Sequence, residues 1–543
     1  MTNWEDTGAP ATLVEMMARR GTADAELTAY SFNGDPRTFG GLWSDIEGFA
    51  AMLVEAGVGH GDRVVMALPN GHEFFTAFYG TQLAGGIAVP VFAGSTATRA
   101  VEMAEISGAQ VVVVDPSMPA ASLLDESDTA DVHVLTTDQR SDPTSGPPEF
   151  PTVGPEDVAF IQYTSGSTGD PKGVQLTHAN LLTNVGQMIE GMEITPADRF
   201  ASWLPVSHDL GLIVMTMVPF FLAAPLHLLP TQMADPRPWL ETISRHACTF
   251  TASPDFGYRL CLRAAARSGA ADDYDLSSLR VALNAAEPVR ASTVEEFHEV
   301  FGLRDVMVAA YGLAEATVGV SMWKPSTPNR IDPRGAVSVG RPFPDVVVRI
   351  VDDADQPLPA GVEGHIVVTT PAATIGYFGN PEATATLKVD PDTIRTGDIG
   401  MLDDDGYLYI LSRAKDVIIQ AGQTVYPQEV EEVANAIDGV RYSAAIGVDH
   451  GGVEGEQVTV LAEIRPDQMT DDAERKTCVI AITNAVSDRF GFRPARVHLV
   501  EPKTIPMTYN GKLQRGALRQ RYVDGTLNDS IVYPDRPTSS TAR

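Results

Sequence analysis

Between Tyr163 and Gly173 the chain reads YTSGSTGDPKG, directly after the strand-like run 158–162. Hydroxyls at Thr164, Ser165, Ser167 and Thr168 are interleaved with Gly166 and Gly169, and Lys172 closes the loop. Glycines let backbone N–H groups approach an anion, hydroxyls add donors and the lysine adds charge, so the composition is that of a phosphate cradle. It is not the Gly-x-x-x-x-Gly-Lys-Ser/Thr loop, because the spacing after Gly166 is wrong. The plain alternative for such a stretch is a Ser/Gly-rich surface turn. His208–Asp209 offers two ligand types but no third at a helical offset, so it makes a poor metal site.

The cradle resembles the signature loop of the adenylate-forming superfamily, and further blocks follow in that family's order. Asn284 to Val289 (NAAEPV) is similar to the adenine-side loop, which implies adenine contacts for Ala285, Ala286 and Glu287. Ala310 to Thr317 (AYGLAEAT) resembles the block in which Ala310, Tyr311 and Gly312 flank the nucleotide and Glu315 holds Mg²⁺. RTGDIG, with Asp398 for the ribose hydroxyls, resembles another block, as does SRAKDVIIQAGQTVYPQE, with Arg413 and the hinge at Lys415. PMTYNGK resembles the loop carrying the catalytic lysine, here Lys512. The resemblance thus implies ATP as substrate, Mg²⁺ as its companion ion, and Lys512, Glu315 and Lys415 as the residues closest to the chemistry. Physical chemistry agrees: two anions must meet, and lysines with a bound cation can stabilise the charge that builds on the phosphoryl oxygens.

Ser202 to Gly211 (SWLPVSHDLG) and the GLAEAT sequence resemble fatty acyl-AMP ligases, which implies a fatty or related carboxylic acid as substrate and a pocket near His208, Asp209 and Asp255. In amino-acid-adenylating relatives an aspartate near Asp255 receives the substrate amine, so that reading remains open, as does a non-catalytic ATP-binding protein. One departure matters. Fatty acyl-AMP ligases carry a hydrophobic insertion after the glutamate block, and here only a short connector joins Thr317 to Gly340. The resemblance implies an acyl carrier protein in trans as acceptor, with coenzyme A as the alternative. Arg489, Arg493 and Arg496 are the basic residues that would meet an acidic carrier.

These motifs need a scaffold, and the hydropathy pattern supplies one. Helical stretches at 42–57, 74–84 and 475–490 alternate with short apolar runs such as AQVVVV at 109–114, which predicts a layered α/β fold with mainly parallel sheets. Strands at 346–351, 364–369 and 406–411 predict a β-rich subdomain. A composition change near Leu411 predicts a large adenylating domain over 1–411, a small mobile α+β domain over 412–523 and a frayed tail over 524–543. The polar stretch 117–155 reads as a loop-dominated connector.

Composition bounds the rest. Across 543 residues, 71 acidic against 39 basic side chains give a formal charge of −32, which disfavours nucleic acid and anionic membranes as partners. Three dispersed cysteines fit a reducing, cytoplasmic setting, and no signal sequence is expected. The uncharged run 210–230 is long enough for a bilayer, but Pro219 and Pro225 and the absence of a Lys/Arg belt make it core: a buried helix pair or a pocket wall.

Overall fold

Val111–Val114 is buried at every position, as a central strand covered on both faces must be. In the computed structural model, which describes residues 8–92, 97–115, 132–138, 149–164, 171–231, 235–268, 273–420, 423–450, 455–465, 468–507 and 513–534, this strand lies in a seven-stranded sheet. The order is 376–377, 172–177, 158–164, 87–90, 63–67, 111–114, 133–136. The five strands from 158–164 to 133–136 run parallel, and 172–177 and 376–377 add antiparallel. His133–Thr136 corrects the reading of 117–155 as loop: it pairs in register with Val111–Val114 although its sequence, HVLT, is half polar.

A second, nine-stranded sheet contains the parallel run Phe200–Ser202, Phe250–Ser253, Val281–Asn284, Met307–Tyr311. The helices Phe39–Glu55 and His72–Leu83 bury Phe39, Phe74, Phe75 and Phe78 in the core shared with Phe220. The apolar run from Leu210 forms a π-helix, Leu210–Met217, that continues into the α-helix Val218–Leu222, with Pro219 tolerated in its first turn. The chain then turns at Ala223 and pairs as strand Leu226–Leu228. Among the described residues no helix is long and apolar enough to cross a membrane. A five-stranded, mainly antiparallel sheet follows, built from 347–351, 364–369, 388–390, 393–402 and 408–413.

The C-terminal unit has cores of its own. Leu408 belongs to the large core, whereas Ile418, Val430, Val460 and Ile482 form a separate one. Its sheet is ordered 440–449, 456–464, 496–500, 531–533. The last strand corrects the frayed-tail expectation for 524–534. Ile531–Tyr533 pairs antiparallel with Arg496–Val500, and Leu527 and Ile531 are buried beneath it. Val532 and Tyr533 pack on the other core of this unit, so four apolar side chains in a polar stretch dock it; residues 535–543 lie outside the described part.

Candidate active site

Strand register brings the predicted residues together. Asp398 and Arg413 are directly opposed on neighbouring antiparallel strands, and Arg413 Nε lies 2.8 Å from Asp398 Oδ1. Tyr311, at the end of Met307–Tyr311, donates its hydroxyl to the other oxygen, Asp398 Oδ2. Asp398 is only 3 % exposed, so the Arg413 guanidinium and the Tyr311 hydroxyl act on it in a poorly solvated place. The nearby Asp398 carboxylate raises the Arg413 guanidinium above its usual value. The result is a fixed carboxylate with donors on both sides, suited to a diol.

The second grouping forms around a residue the motifs did not include. Gly376–Tyr377 pairs with the Lys172–Thr177 strand, and this places the Tyr377 ring beneath the Lys172 ammonium, 5.1 Å from its centroid. The Tyr377 hydroxyl donates to Glu315 Oε1 at 2.7 Å. Tyr377 therefore orients Glu315 and leaves its second oxygen for another partner. Two residues on, Thr317 adopts a left-handed backbone (φ 69) and donates its hydroxyl to Ala372 O at 2.7 Å, which locks the turn carrying Glu315. Gly312 is obligatory here: a Cβ would lie 1.6 Å from Val318 O. Among the described residues no cluster of three or more metal-ligand side chains exists. Glu315 thus fits Mg²⁺ only as one carboxylate beside nucleotide phosphates, the usual manner for that ion.

Ala285, Ala286 and Glu287 leave strand Val281–Asn284 along the same cleft, with Ala286 at φ 71. Glu287 accepts from Phe256 N at 2.6 Å. Burial first, then the Asp255 carboxylate, push its pKa up to about 7. Between the unfolded value of 4.5 and about 7 the folded chain holds this proton while the unfolded chain releases it, so stability falls as pH rises. Glu287→Gln should therefore match the wild-type Tm near pH 4.5 and exceed it by a margin that grows up to neutrality. Thermal unfolding across that range checks the sign; a margin that shrinks with pH would refute it.

Asp255 lies at the wall of the cleft, but its oxygens are committed. They accept from Asn284 Nδ2 at 3.1 Å, Arg290 N at 3.3 Å and Thr293 Oγ1 at 3.1 Å. It serves the start of helix Ala291–Val300, which has no side-chain cap of its own. His208 Nδ1 lies 2.5 Å from Asp209 Oδ1, and Asp209 also accepts from Leu210 N at 2.7 Å, capping the π-helix. Ser165, Gly166, Ser167, Thr168, Gly169 and Lys512 lie outside the described residues; Thr164 and Lys172, flanking the cradle, are opposed in register.

One cleft of ≈ 2010 Å³ is lined by Lys172, Glu315, Asp398 and Lys415, and by an apolar wall that includes Met188, Met192, Val214 and Phe343. Leu513 to Ala517 of the small unit face the same space. The sequence matches the AMP-binding enzyme family over residues 17–378, and its C-terminal domain over 422–517. The chain belongs to the AMP-binding enzymes. It is 32 % identical over 575 residues to the medium-chain-fatty-acid–[acyl-carrier-protein] ligase JamA of Moorena producens, covering 95 % of this chain and 96 % of that protein. It is 30 % identical over 556 residues to the corresponding ligase TtuA of Teredinibacter turnerae, covering 86 % and 85 %. A structure from studies of fatty acyl-adenylate ligases of E. coli and L. pneumophila superposes with a TM-score of 0.84 at 27 % identity, covering 95 % and 98 %. In this AMP-binding enzyme the sequence motifs missed Tyr377, because a lone tyrosine in a two-residue strand leaves no periodic or compositional signal.

Proposed function

We propose that this chain is an AMP-forming ligase that activates a fatty or related carboxylic acid and passes the acyl group to the phosphopantetheine thiol of an acyl carrier protein in trans, in a cytoplasmic setting. The observation that carries the reading is the continuity of the cleft: an apolar wall of Met188, Met192, Val214 and Phe343 opens onto the pole formed by Lys172, Tyr377 and Glu315. An alkyl chain fits the first and a triphosphate the second.

In the first half-reaction a carboxylate oxygen attacks the α-phosphorus of ATP, the new O–P bond forms, and pyrophosphate leaves. Lys172 and Lys512 counter the phosphate charge, and Asp398, held by Tyr311 and Arg413, receives the ribose hydroxyls. Ala285, Ala286, Glu287, Ala310 and Gly312 frame the adenine. Mg²⁺ held by Glu315 would supply charge neutralisation on the phosphates. In the second half-reaction the thiol loses its proton, sulfur attacks the acyl carbon, and AMP departs with its oxygen. The small domain, from 412 and including the strand at 531–533, reorients against the large domain, 1–411, between the two steps about Lys415.

Asp398→Ala removes the diol acceptor and leaves Arg413 and Tyr311 without their shared partner. It should raise the KM for ATP roughly tenfold to a hundredfold, as loss of a charge-assisted pair of hydrogen bonds implies. The KM for the acid should stay near its wild-type value; parallel loss of both would point to a general defect.

One observation favours coenzyme A as acceptor. The 318–339 connector is folded onto the large sheet through Ser321–Met322, with no separate hydrophobic module. Pyrophosphate exchange over a panel of acids identifies the substrate, and paired reactions with either coenzyme A or a phosphopantetheinylated carrier decide the acceptor. Rapid acyl-CoA formation without carrier loading would replace the carrier reading.

A further inference from the structure

Helix Asp255–Ser268 begins at the cleft wall and runs outward, and it carries Arg259, Arg263 and Arg267 four residues apart. This spacing puts the three guanidiniums on one face, along about 12 Å of helix. Arg259, the innermost, is half-buried at the cleft, whereas Arg263 and Arg267 are exposed. In a chain of formal charge −32, acidic neighbours are the expectation for any arginine. Arg263 has the opposite surroundings. After burial itself, the strongest influences on it are the like charges of Arg465, Arg441, Arg267 and Arg290, and among the described residues it has no ion-pair partner. Arg290 stands 3.9 Å from Asp255, and Arg441 pairs with Glu463, so these two have counter-charges of their own.

Arg441 and Arg465 come from the small domain. Val440 is opposed to Ile464 in its sheet, so both arginines sit at one end of that sheet. Arg496 is opposed to Thr459 and therefore sits at the other end, roughly 15 Å away at the usual rise per strand residue. Arg489 donates to Pro333 O at 3.5 Å. Arg441 and Arg465 thus act on the stripe, and Arg496 lies away from them. A helix C-terminus attracts cations, and this accounts for Arg267 in the last turn. It does not account for Arg263 in mid-helix, faced by like charge from a second domain.

We propose that the Arg259–Arg263–Arg267 face, with Arg441 on the cleft wall and Arg465 beside it in the small-domain sheet, is the docking surface for an acidic helix of the acyl carrier protein. The inference rests on the carrier reading above. Carboxylates repeated every three to four residues on a partner helix match the stripe, which is too long for a single phosphate. The stripe also leads from solvent to the cleft, so a carrier seated on it has its prosthetic arm at the entrance. Charges on a rim govern association rate and salt dependence more than the chemistry behind them.

The test uses the full chain with a phosphopantetheinylated type II acyl carrier protein, with coenzyme A in a parallel arm. The double variant Arg263→Glu/Arg267→Glu should raise the carrier KM at least about tenfold at low salt, and the effect should shrink toward unity as salt screens it. Pyrophosphate exchange should be unchanged, which also reports that the variant is folded. Arg263→Lys/Arg267→Lys should load the carrier nearly as well as wild type. Equal carrier loading by the Glu variant overturns the docking surface, and equal impairment with coenzyme A overturns it in favour of a phosphate site. A wild-type enzyme that loads no carrier but makes acyl-CoA overturns the carrier reading itself.

Discussion

Lys512→Ala should slow pyrophosphate exchange by roughly 10²–10³-fold, the usual cost of removing one preorganised group that stabilises charge in the transition state. Lys512 lies outside the described residues, but both ends of its loop are tightly held. Met507 and Leu513 form an isolated β-bridge, and Gln514 N donates to Pro506 O at 3.0 Å. Ile505 N donates to Glu463 Oε1 at 3.1 Å, and Glu463 is only 2 % exposed. Met507 and Leu513, the described residues on either side of Lys512, both line the cleft. In the proposed reading the Lys512 ammonium meets the charge that grows as the carboxylate attacks phosphorus. Transfer from a supplied acyl-adenylate involves no such attack and should survive much better. Equal loss in both half-reactions would remove Lys512 from this role.

Lys415→Pro should retain pyrophosphate exchange and abolish transfer to the thiol. Lys415 is the centre of a single 3-10 turn, Ala414–Asp416, between two anchors. On one side Arg413 is tied to Asp398 of the large domain; on the other, Asp416 Oδ2 lies 3.5 Å from Arg515 Nη1 of the small one. Arg515 is itself fixed by Glu431, whose carboxylate accepts from its Nη2 at 2.6 Å. The proposed reorientation of one domain against the other would therefore be absorbed within about three residues. Proline fixes φ, and a hinge is the place where φ must change. Single-turnover assays of the two half-reactions separate the outcomes. Intact transfer in the variant would place the hinge elsewhere or show that no rotation is needed.

The motifs were legible because each packs its chemistry into adjacent residues. NAAEPV and AYGLAEAT follow or close strand ends, RTGDIG lies within the strand Thr393–Leu402, and the fold brings all three to one cleft. The π-helix at Leu210–Met217 was not legible, since a run apolar on every side has no period by which to tell one helix type from another. Asp255 lines the cleft, but the hydrogen bonds its two oxygens accept from Asn284, Arg290 and Thr293 come from residues up to 38 positions away and leave no mark in the motif. Tyr377 depended on a pairing between residues about 200 apart in the chain, which only tertiary structure supplies. The arginine stripe could have been read directly, because RLCLRAAAR spaces its cations at helical period.

The strand Ile531–Tyr533 has a practical consequence for handling this enzyme. It caps the hydrogen-bonding edge of Arg496–Val500, a strand whose last four residues are buried. A chain cut at Val523, where the last long helix ends, would expose that edge as a template for a second molecule. Shortening this protein for crystallisation is therefore better begun after Pro534 than at the helix, and an affinity tag placed there would follow an ordered strand.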